Sequence, residues 1–336
     1  MDLGILIGGR AVTSAPVRRG LVLGAGAALG AAWSIGALCA LSSVEGYDPS
    51  TVDVVVGTSA GSVLAALLAC GVDAEESARR LDEGAQPHVE GTAPVNAFDV
   101  HASLARIPRP VPLPGNLRLA ANTLIRPGRY TLMTAAAGLA PRGRGTLAPL
   151  AELIAAAQAG RDWPTLPRTW VVAMDFDSGH RVVFGRSGAP RVQLPDAVVA
   201  SCSAPGFFPP SVIGGRRYVD GGAVSVTNAD VLSREGLDEI LILAPMATFA
   251  RDSGWSVMGR LEGRLRNHGA RRLAFEVAQL EASGATVRVL APSVDDLRAM
   301  GPNMMNPARR QEVLHTARRT TAQELIERPV GHFSRG

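Results

Sequence analysis

Three short stretches of this sequence combine residue types that could carry out acyl transfer. The first is Gly57-Thr58-Ser59-Ala60-Gly61, a G-x-S-x-G between the β-branched run at 52–56 and the apolar run SVLAALLACG. A strand that turns sharply into a helix needs glycine on both sides of such a serine. The turn projects Oγ outward and aims the next backbone N–H at a substrate oxygen. The helix behind it adds a partial positive end that favours developing negative charge. A serine that simply caps a buried helix would leave the same short pattern.

The second stretch is Gly24-Ala25-Gly26-Ala27-Ala28-Leu29-Gly30, after a short apolar run. It suits either a phosphate loop for a dinucleotide or a row of backbone N–H donors for an oxyanion. The dinucleotide reading requires an acidic residue roughly twenty positions on, at the end of a second strand. Glu45 and Asp48 lie near that distance but precede the 52–56 run. Beside an elbow serine the loop favours the oxyanion role. The third stretch, Tyr218-Val219-Asp220-Gly221-Gly222, places a carboxylate at a strand end, and its two glycines allow another loop to come close. A structural Asp capping the following turn is the alternative.

Other bases compete with Asp220. His88, His101, His180, His268, His315 and His332 are all present, and the last three follow Asp220, which leaves a Ser, Asp, His order open. None sits in a distinctive motif. The basic side chains are all Arg, so a Ser/Lys dyad, a Schiff-base lysine and a P-loop lysine are excluded.

The surrounding elements would have to hold these groups. Residues 21–23 and 52–56 read as strands, each followed by a glycine turn and an apolar helix. Asp73 reads as the cap of a further helix through Leu81. Strand, turn and helix repeated twice imply a parallel sheet with helical crossovers. Between about 84 and 149 the pattern weakens into Pro, Gly and Arg with short apolar pieces, an irregular covering insertion or lid too fragmented for a sheet of its own. Helix returns at about 149–159, and 169–174 with 181–184 forms a hairpin candidate around Asp177-Ser178-Gly179. Residues 195–202 read as a helix, and 216–219 as the strand that delivers Asp220. A helix at 228–234, strands at 239–243 and 286–290, a glycine-interrupted helical section at about 256–283 and an Arg-rich helix at about 307–327 complete the chain.

The composition permits this. The 336 residues are 46% hydrophobic but only 4% aromatic, with a formal charge of +4, so a core of small residues is expected. Cys39, Cys70 and Cys202 have no C-x-x-C spacing, which points to buried thiols in a reducing compartment. The amino terminus lacks a signal-peptide order, and a cytoplasmic protein is expected. Residues 20–44 carry no charge and are long enough to cross a membrane. Five glycines in that stretch instead favour a buried strand, a turn and a buried helix.

The glycine loop, the GTSAGS elbow and the DGG turn, in this order, resemble the patatin-like phospholipase family over roughly residues 19–292, together with ASCSAPGFFPP before the DGG and TNAD after it. The resemblance implies a three-layer α/β/α sandwich around a mainly parallel sheet. It divides the chain into an N-terminal extension (1–18), a catalytic domain (19–295) holding the 84–149 insertion, and a C-terminal helical tail (296–336). It also implies Ser59 as nucleophile and Asp220 as base, with Gly24, Ala25 and Gly26 supplying the oxyanion hole. The family's loop has a run of glycines and then Arg or Lys before its last Gly. Here Ala25 interrupts that run, which is tolerable at negative φ, and Leu29 replaces the cation.

The expected activity is therefore a serine lipid acyl hydrolase of the phospholipase A, lysophospholipase or carboxylesterase type. Its expected partners are a lipid or other ester substrate and, peripherally, a membrane, with no metal, cofactor or nucleic acid. A carboxylate near its reference pKa of about 4 is a weak base for a hydroxyl, so modest turnover is expected, with backbone donors contributing ~3 kcal/mol each. The competing readings are a catalytically silent lipid-binding or partner-binding protein and a nucleotide-binding protein using the Gly24 loop.

Overall fold

The computed structural model describes residues 16–83, 108–125, 130–247 and 257–327. Most of the expected extension and the first part of the insertion, 84–107, lie outside the described residues. In chain order β1 (Arg19–Leu23) enters α1 (Ala27–Glu45), and β2 (Val54–Thr58) enters α2 (Ala60–Ala69). Helix α3 (Ala74–Asp82) starts where expected, because the Asp73 side chain accepts from the Glu76 amide at 2.7 Å. After the insertion come α6 (Ala148–Gln158), β5 (Arg168–Asp175), β6 (Arg181–Phe184), α7 (Leu194–Cys202), β7 (Ser211–Ile213) and β8 (Arg216–Asp220). The chain then runs through β9 (Glu239–Leu243), α8 (Val257–Ala282), β10 (Thr286–Leu290), α9 (Val294–Met300) and α10 (Arg310–Glu327).

The main sheet has the order β10-β9-β1-β2-β5-β8-β7, with β6 also on β5. Strands β10, β9, β1, β2 and β5 run parallel, while β6 and β8 are antiparallel to β5. Side chains alternate across it. Leu21, Leu23, Val55, Leu241 and Leu243 join a core with Trp33, Leu64, Leu153, Val198 and Leu314 from α1, α2, α6, α7 and α10. Val22, Val54, Val56, Ile240 and Ile242 pack on the other face with Leu273 and Leu280 of α8. The result is the expected α/β architecture: a mixed, mostly parallel sheet with helices on both sides.

Helix α1 has the length and apolarity of a membrane span. Every residue from Ala28 to Leu41 is nevertheless buried inside this fold, because α2, α3 and α10 pack around it. The uncharged stretch is thus a strand, a loop and a core helix.

Three local readings change. The segment at 228–234 forms only a 3-10 turn, Ala229–Leu232, because the Asn228 side chain bonds to the Ser225 and Gly221 carbonyls and offers the backbone an alternative to the helix. The glycines at 259, 263 and 269 do not break α8, which runs unbroken through all three. In the insertion, β3 (Val111–Pro114) and β4 (Pro141–Arg142) form a small antiparallel sheet of their own flanking α4 (Leu117–Ile125) and α5 (Leu132–Leu139). Such a sheet needs little apolar content because only two residue pairs close it.

The contact between α1 and α10 depends on the missing side chain at Gly36, where a Cβ would stand 2.4 Å from the Leu314 carbonyl oxygen. Gly36→Ala is therefore expected to push the two helices apart and lower stability by about 1–3 kcal/mol. Urea unfolding would check it, and an unchanged midpoint would remove this contact from the packing argument.

Candidate active site

The register of β5 sets the geometry. Strand β6 occupies one edge of β5 from Val171 to Met174. On the opposite edge β2 pairs up to Thr58↔Val172, and β8 begins its pairing there with Asp220↔Ala173. Two strands running toward each other thus end beside adjacent residues of a third. The residue after β2 is Ser59, and the last residue of β8 is Asp220. Their side chains meet: Ser59 Oγ donates to Asp220 Oδ2 at 2.5 Å.

Each end is fixed by the local sequence. Ser59 adopts φ 54° and ψ −124°, a backbone strain that non-glycine residues show mainly at functional turns. Gly61 lets the turn close, since a Cβ there would lie 2.0 Å from the Leu23 carbonyl oxygen. Gly57 and the first residues of α2 are equally tight, with Ser62 Cα 2.4 Å from a Cβ at Gly57. The Ser59 amide donates to Ser201 Oγ at 2.8 Å, and Ser201 Oγ donates to the Val172 carbonyl at 2.6 Å, tying the elbow to β5. Opposite it, Asp220 Oδ1 accepts from the Gly222 amide at 2.7 Å. One carboxylate oxygen of Asp220 thus caps the DGG turn while the other accepts from Ser59.

Asn228 spans both ends. Its Nδ2 donates to Thr58 Oγ1 just before the serine, and to the Gly221 carbonyl just after the aspartate. Sequence reading placed Asn228 in TNAD without a role. Its left-handed φ of 54° and its wholly buried side chain become visible only in three dimensions.

Of the glycine-loop residues, Gly24 and Ala25 are corrected as oxyanion donors in this conformation. The Gly24 amide donates to the Leu243 carbonyl at 2.9 Å and the Ala25 amide to the Val226 carbonyl at 2.7 Å. Those bonds fasten the loop to β9 and to the segment after the DGG turn. Gly26, Ala27 and Ala60 line the cavity, and among the described residues no carbonyl accepts from their amides. Ala25 avoids positive φ, and the strained alanine is Ala27, at φ 50°. Leu29, in the position of the missing cation, is wholly buried, and its amide donates to the Met304 carbonyl at 3.0 Å.

Ser59 and Asp220 open into a cavity of about 450 Å³. Its walls are mainly apolar: Met133, Ala136 and Ala137 of α5, Leu147, Leu150 of α6, Phe207, Phe208, and three further methionines, Met246, Met304 and Met305. Burial pushes the Asp220 carboxyl up to about 6, while its bonds to Ser59 and Gly222 pull the other way. Among the described residues no arginine pairs with Asp220. Cys202 lies on the same wall, and burial together with the Asp220 charge raises its thiol strongly, so it remains protonated.

Histidine is not between the two side chains. His180 is exposed, and His315 is exposed on α10, where it pairs with Asp82 at 3.0 Å. His88, His101 and His332, and the His268 side chain, lie outside the described residues. No cluster of metal-binding side chains occurs among the described residues.

The profile of a family described as patatin-like phospholipase matches residues 21–233, which include the glycine loop, the elbow and the DGG turn. Comparison with curated proteins gives no match. Among solved structures, VipD from Legionella pneumophila aligns with 17% identity and a TM-score of 0.42, covering 94% of this chain and 68% of that one. The type III effector ExoU aligns with 22% identity and a TM-score of 0.39, covering 94% of this chain and 54% of its own. Full-length ExoU of Pseudomonas aeruginosa in complex with SpcU gives 19% identity and a TM-score of 0.33, covering 92% and 54%. The chain spans about half the length of these ExoU chains. With well over half of its sequence matched by one family profile, the chain belongs to the patatin-like phospholipase family, whose membership implies lipid acyl hydrolase activity.

Proposed function

We propose that this protein hydrolyses carboxylic esters of lipids, in the manner of a phospholipase A, lysophospholipase or carboxylesterase, through a Ser59–Asp220 dyad and an acyl-enzyme. The observation that carries the proposal is the 2.5 Å bond between the two side chains inside an apolar cavity. Asp220 Oδ2 takes the Ser59 proton as Oγ attacks the ester carbonyl carbon. The carbonyl oxygen becomes an oxyanion facing the Gly26, Ala27 and Ala60 amides. Collapse of that species breaks the ester C–O bond, and the leaving alkoxide takes the proton from Asp220. Water then gives a proton to Asp220 as it attacks the acyl carbon. The second collapse frees the carboxylic acid and returns the proton to Ser59 Oγ.

Desolvation improves the base. A carboxyl raised to about 6 holds a proton far better than one at its ordinary 3.8, yet is ionised at neutral pH. Turnover therefore depends less on the amides alone than the unperturbed value suggests. The nucleotide-binding reading loses support, because two of the loop amides it needs are already bonded within the fold.

A fluorophosphonate probe is expected to label the protein covalently and to leave Ser59→Ala unlabelled; labelling of that variant at wild-type level would refute the nucleophile assignment. For a soluble p-nitrophenyl ester, kcat/KM should fall as pH drops through about 6, because Asp220 must be unprotonated to accept the proton. A profile flat through that region would exclude Asp220 as the base. Asp220→Asn should lower kcat/KM by about 10²–10⁴-fold. The same variant should gain stability. A folded carboxyl at about 6 against 3.8 unfolded favours the fold while protonated, and that advantage is lost as pH rises through the folded value. Above it the ionised group costs roughly 3 kcal/mol. Asparagine cannot ionise and keeps an oxygen for the Gly222 amide. Its melting temperature should exceed the wild type's above pH 6, and the gap should close near pH 3.8.

A further inference from the structure

We propose that the face built from β3, α4, the end of α5 and Phe207 seats the protein on an anionic lipid surface, with the cavity mouth turned toward it. The inference rests on reading the cavity as an acyl-ester site. Five of the twelve large apolar side chains exposed among the described residues fall in this one segment: Val111, Leu113, Leu117, Ile125 and Leu139, at 36%, 54%, 63%, 73% and 57% exposure. Single exposed leucines are ordinary, but a contiguous set marks an interaction surface.

Backbone bonds bring three of the five together. The Gly115 amide donates to the Ala140 carbonyl and the Asn116 amide to the Gly138 carbonyl, which brings Leu113 and Leu117 beside Leu139. The Gly145 amide donates to the Phe207 carbonyl, so Phe207, itself 46% exposed, adjoins the same rim. This rim frames the cavity, since Ala136, Ala137 and Ala140 and the Phe207 ring also line it. A lipid whose head lay in the interface could thus pass its acyl chain directly between α5 and Phe207.

Charge selects the occupant. Between residues 100 and 151 the sequence holds seven arginines and no Asp or Glu. Arg109, Arg118, Arg142 and Arg144 are described, and all four are exposed. The Asp177 carboxylate, which pairs with Arg217, also lies within electrostatic reach of Arg118, while Arg109, Arg142 and Arg144 form no ion pair with a described residue. Apolar side chains flanked by arginines, three of them without an acidic partner among the described residues, match anionic headgroups over hydrocarbon. A zwitterionic surface offers phosphates but no net negative potential and so holds the arginines less strongly.

The test uses full-length Ser59→Ala protein, which cannot turn over the lipid, in co-sedimentation with vesicles of phosphatidylcholine alone or of phosphatidylcholine and phosphatidylglycerol in equal parts. Binding is expected to the anionic vesicles only and to weaken with added salt. Arg142→Ser with Arg144→Ser should weaken it by about fivefold per arginine. Leu113→Asp with Leu117→Asp should weaken it at least about tenfold. In a Ser59 background both pairs should hydrolyse a soluble ester at wild-type rate, which separates a lost surface from a lost fold. The arginine pair alters only solvent-facing side chains and carries the test even where the leucine pair fails to fold. Equal binding to both vesicles, or anionic binding unaffected by the arginine pair, would overturn the proposal. So would conversion of a dimer to a monomer by the leucine pair with vesicle binding intact, since the face would then belong to a second copy. Loss of soluble-ester activity as the sole failure would strike the enzyme reading and leave docking standing.

Discussion

Two strand ends that meet on one edge of β5 govern the rest of the molecule. Because β2 stops at Val172 and β8 stops at Ala173, Ser59 just past the one end and Asp220 at the other have no freedom to be elsewhere. The serine must turn away from β5 at once, which produces its positive φ, and the aspartate must release the chain at once, which its two glycines permit. A Cβ at Gly221 would lie 2.5 Å from the Val172 carbonyl oxygen, so the crossing tolerates no side chain. Asn228 holds the two turns together from behind, and its own neighbours are held in turn: the Thr227 hydroxyl and the Ala229 amide both donate to the buried Glu276 of α8. The face of the sheet remote from the cavity therefore contributes to the spacing of the dyad.

That spacing carries an electrostatic cost that other parts of the structure moderate but do not remove. A buried carboxylate would normally recruit an arginine. Here two neutral donors, Ser59 and Gly222, do the solvating, and the group stays near neutrality in its proton affinity. An arginine in contact would have driven the pKa down and made a poorer base. The loop opposite follows the same logic. With Leu29 where a cation would stand, its position is maintained by main-chain bonds to Leu243, Val226 and Met304 and by packing on Pro245, none of which adds a charge next to Asp220.

These relations explain which parts were legible in the sequence. The elbow, the loop and the DGG turn could be read because each is a local solution to a local problem: glycines are required within two residues of the group they free. Buried strands showed as β-branched runs, and capped helices showed through Asp73. Hydrogen-bond occupancy could not be read. Gly24 and Ala25 looked like donors because their amides sit in the right loop, but their acceptors are some 200 residues away in the chain. Asn228 and Ser201 act through partners 170 and 142 residues away, so no spacing advertises them. Helix α9 has a capping box in Ser293 and Asp296, but its seven residues are too few to show a helical period in the sequence. The 228–234 misreading has the same origin, since a side-chain amide won carbonyls that a helix would have used.

The cavity shows how an aromatic-poor composition becomes useful. Interiors are ordinarily packed without voids, and a space of about 450 Å³ persists only where the wall cannot collapse into it. Alanines on α5 and in the glycine loop set the wall back without offering side chains to fill it, and the backbone beneath them is fixed by helix and by bonds across the chain. The methionines that point in, Met133, Met246, Met304 and Met305, are the residues best able to reshape around a flexible chain, since the thioether side chain has three rotatable bonds and no polar group to satisfy. Rigid small residues keep the space open and flexible long ones adapt its outline. The combination fits a guest that is apolar and variable in shape, and it leaves Ser59, Asp220 and the loop amides as the polar points at which such a guest can be held.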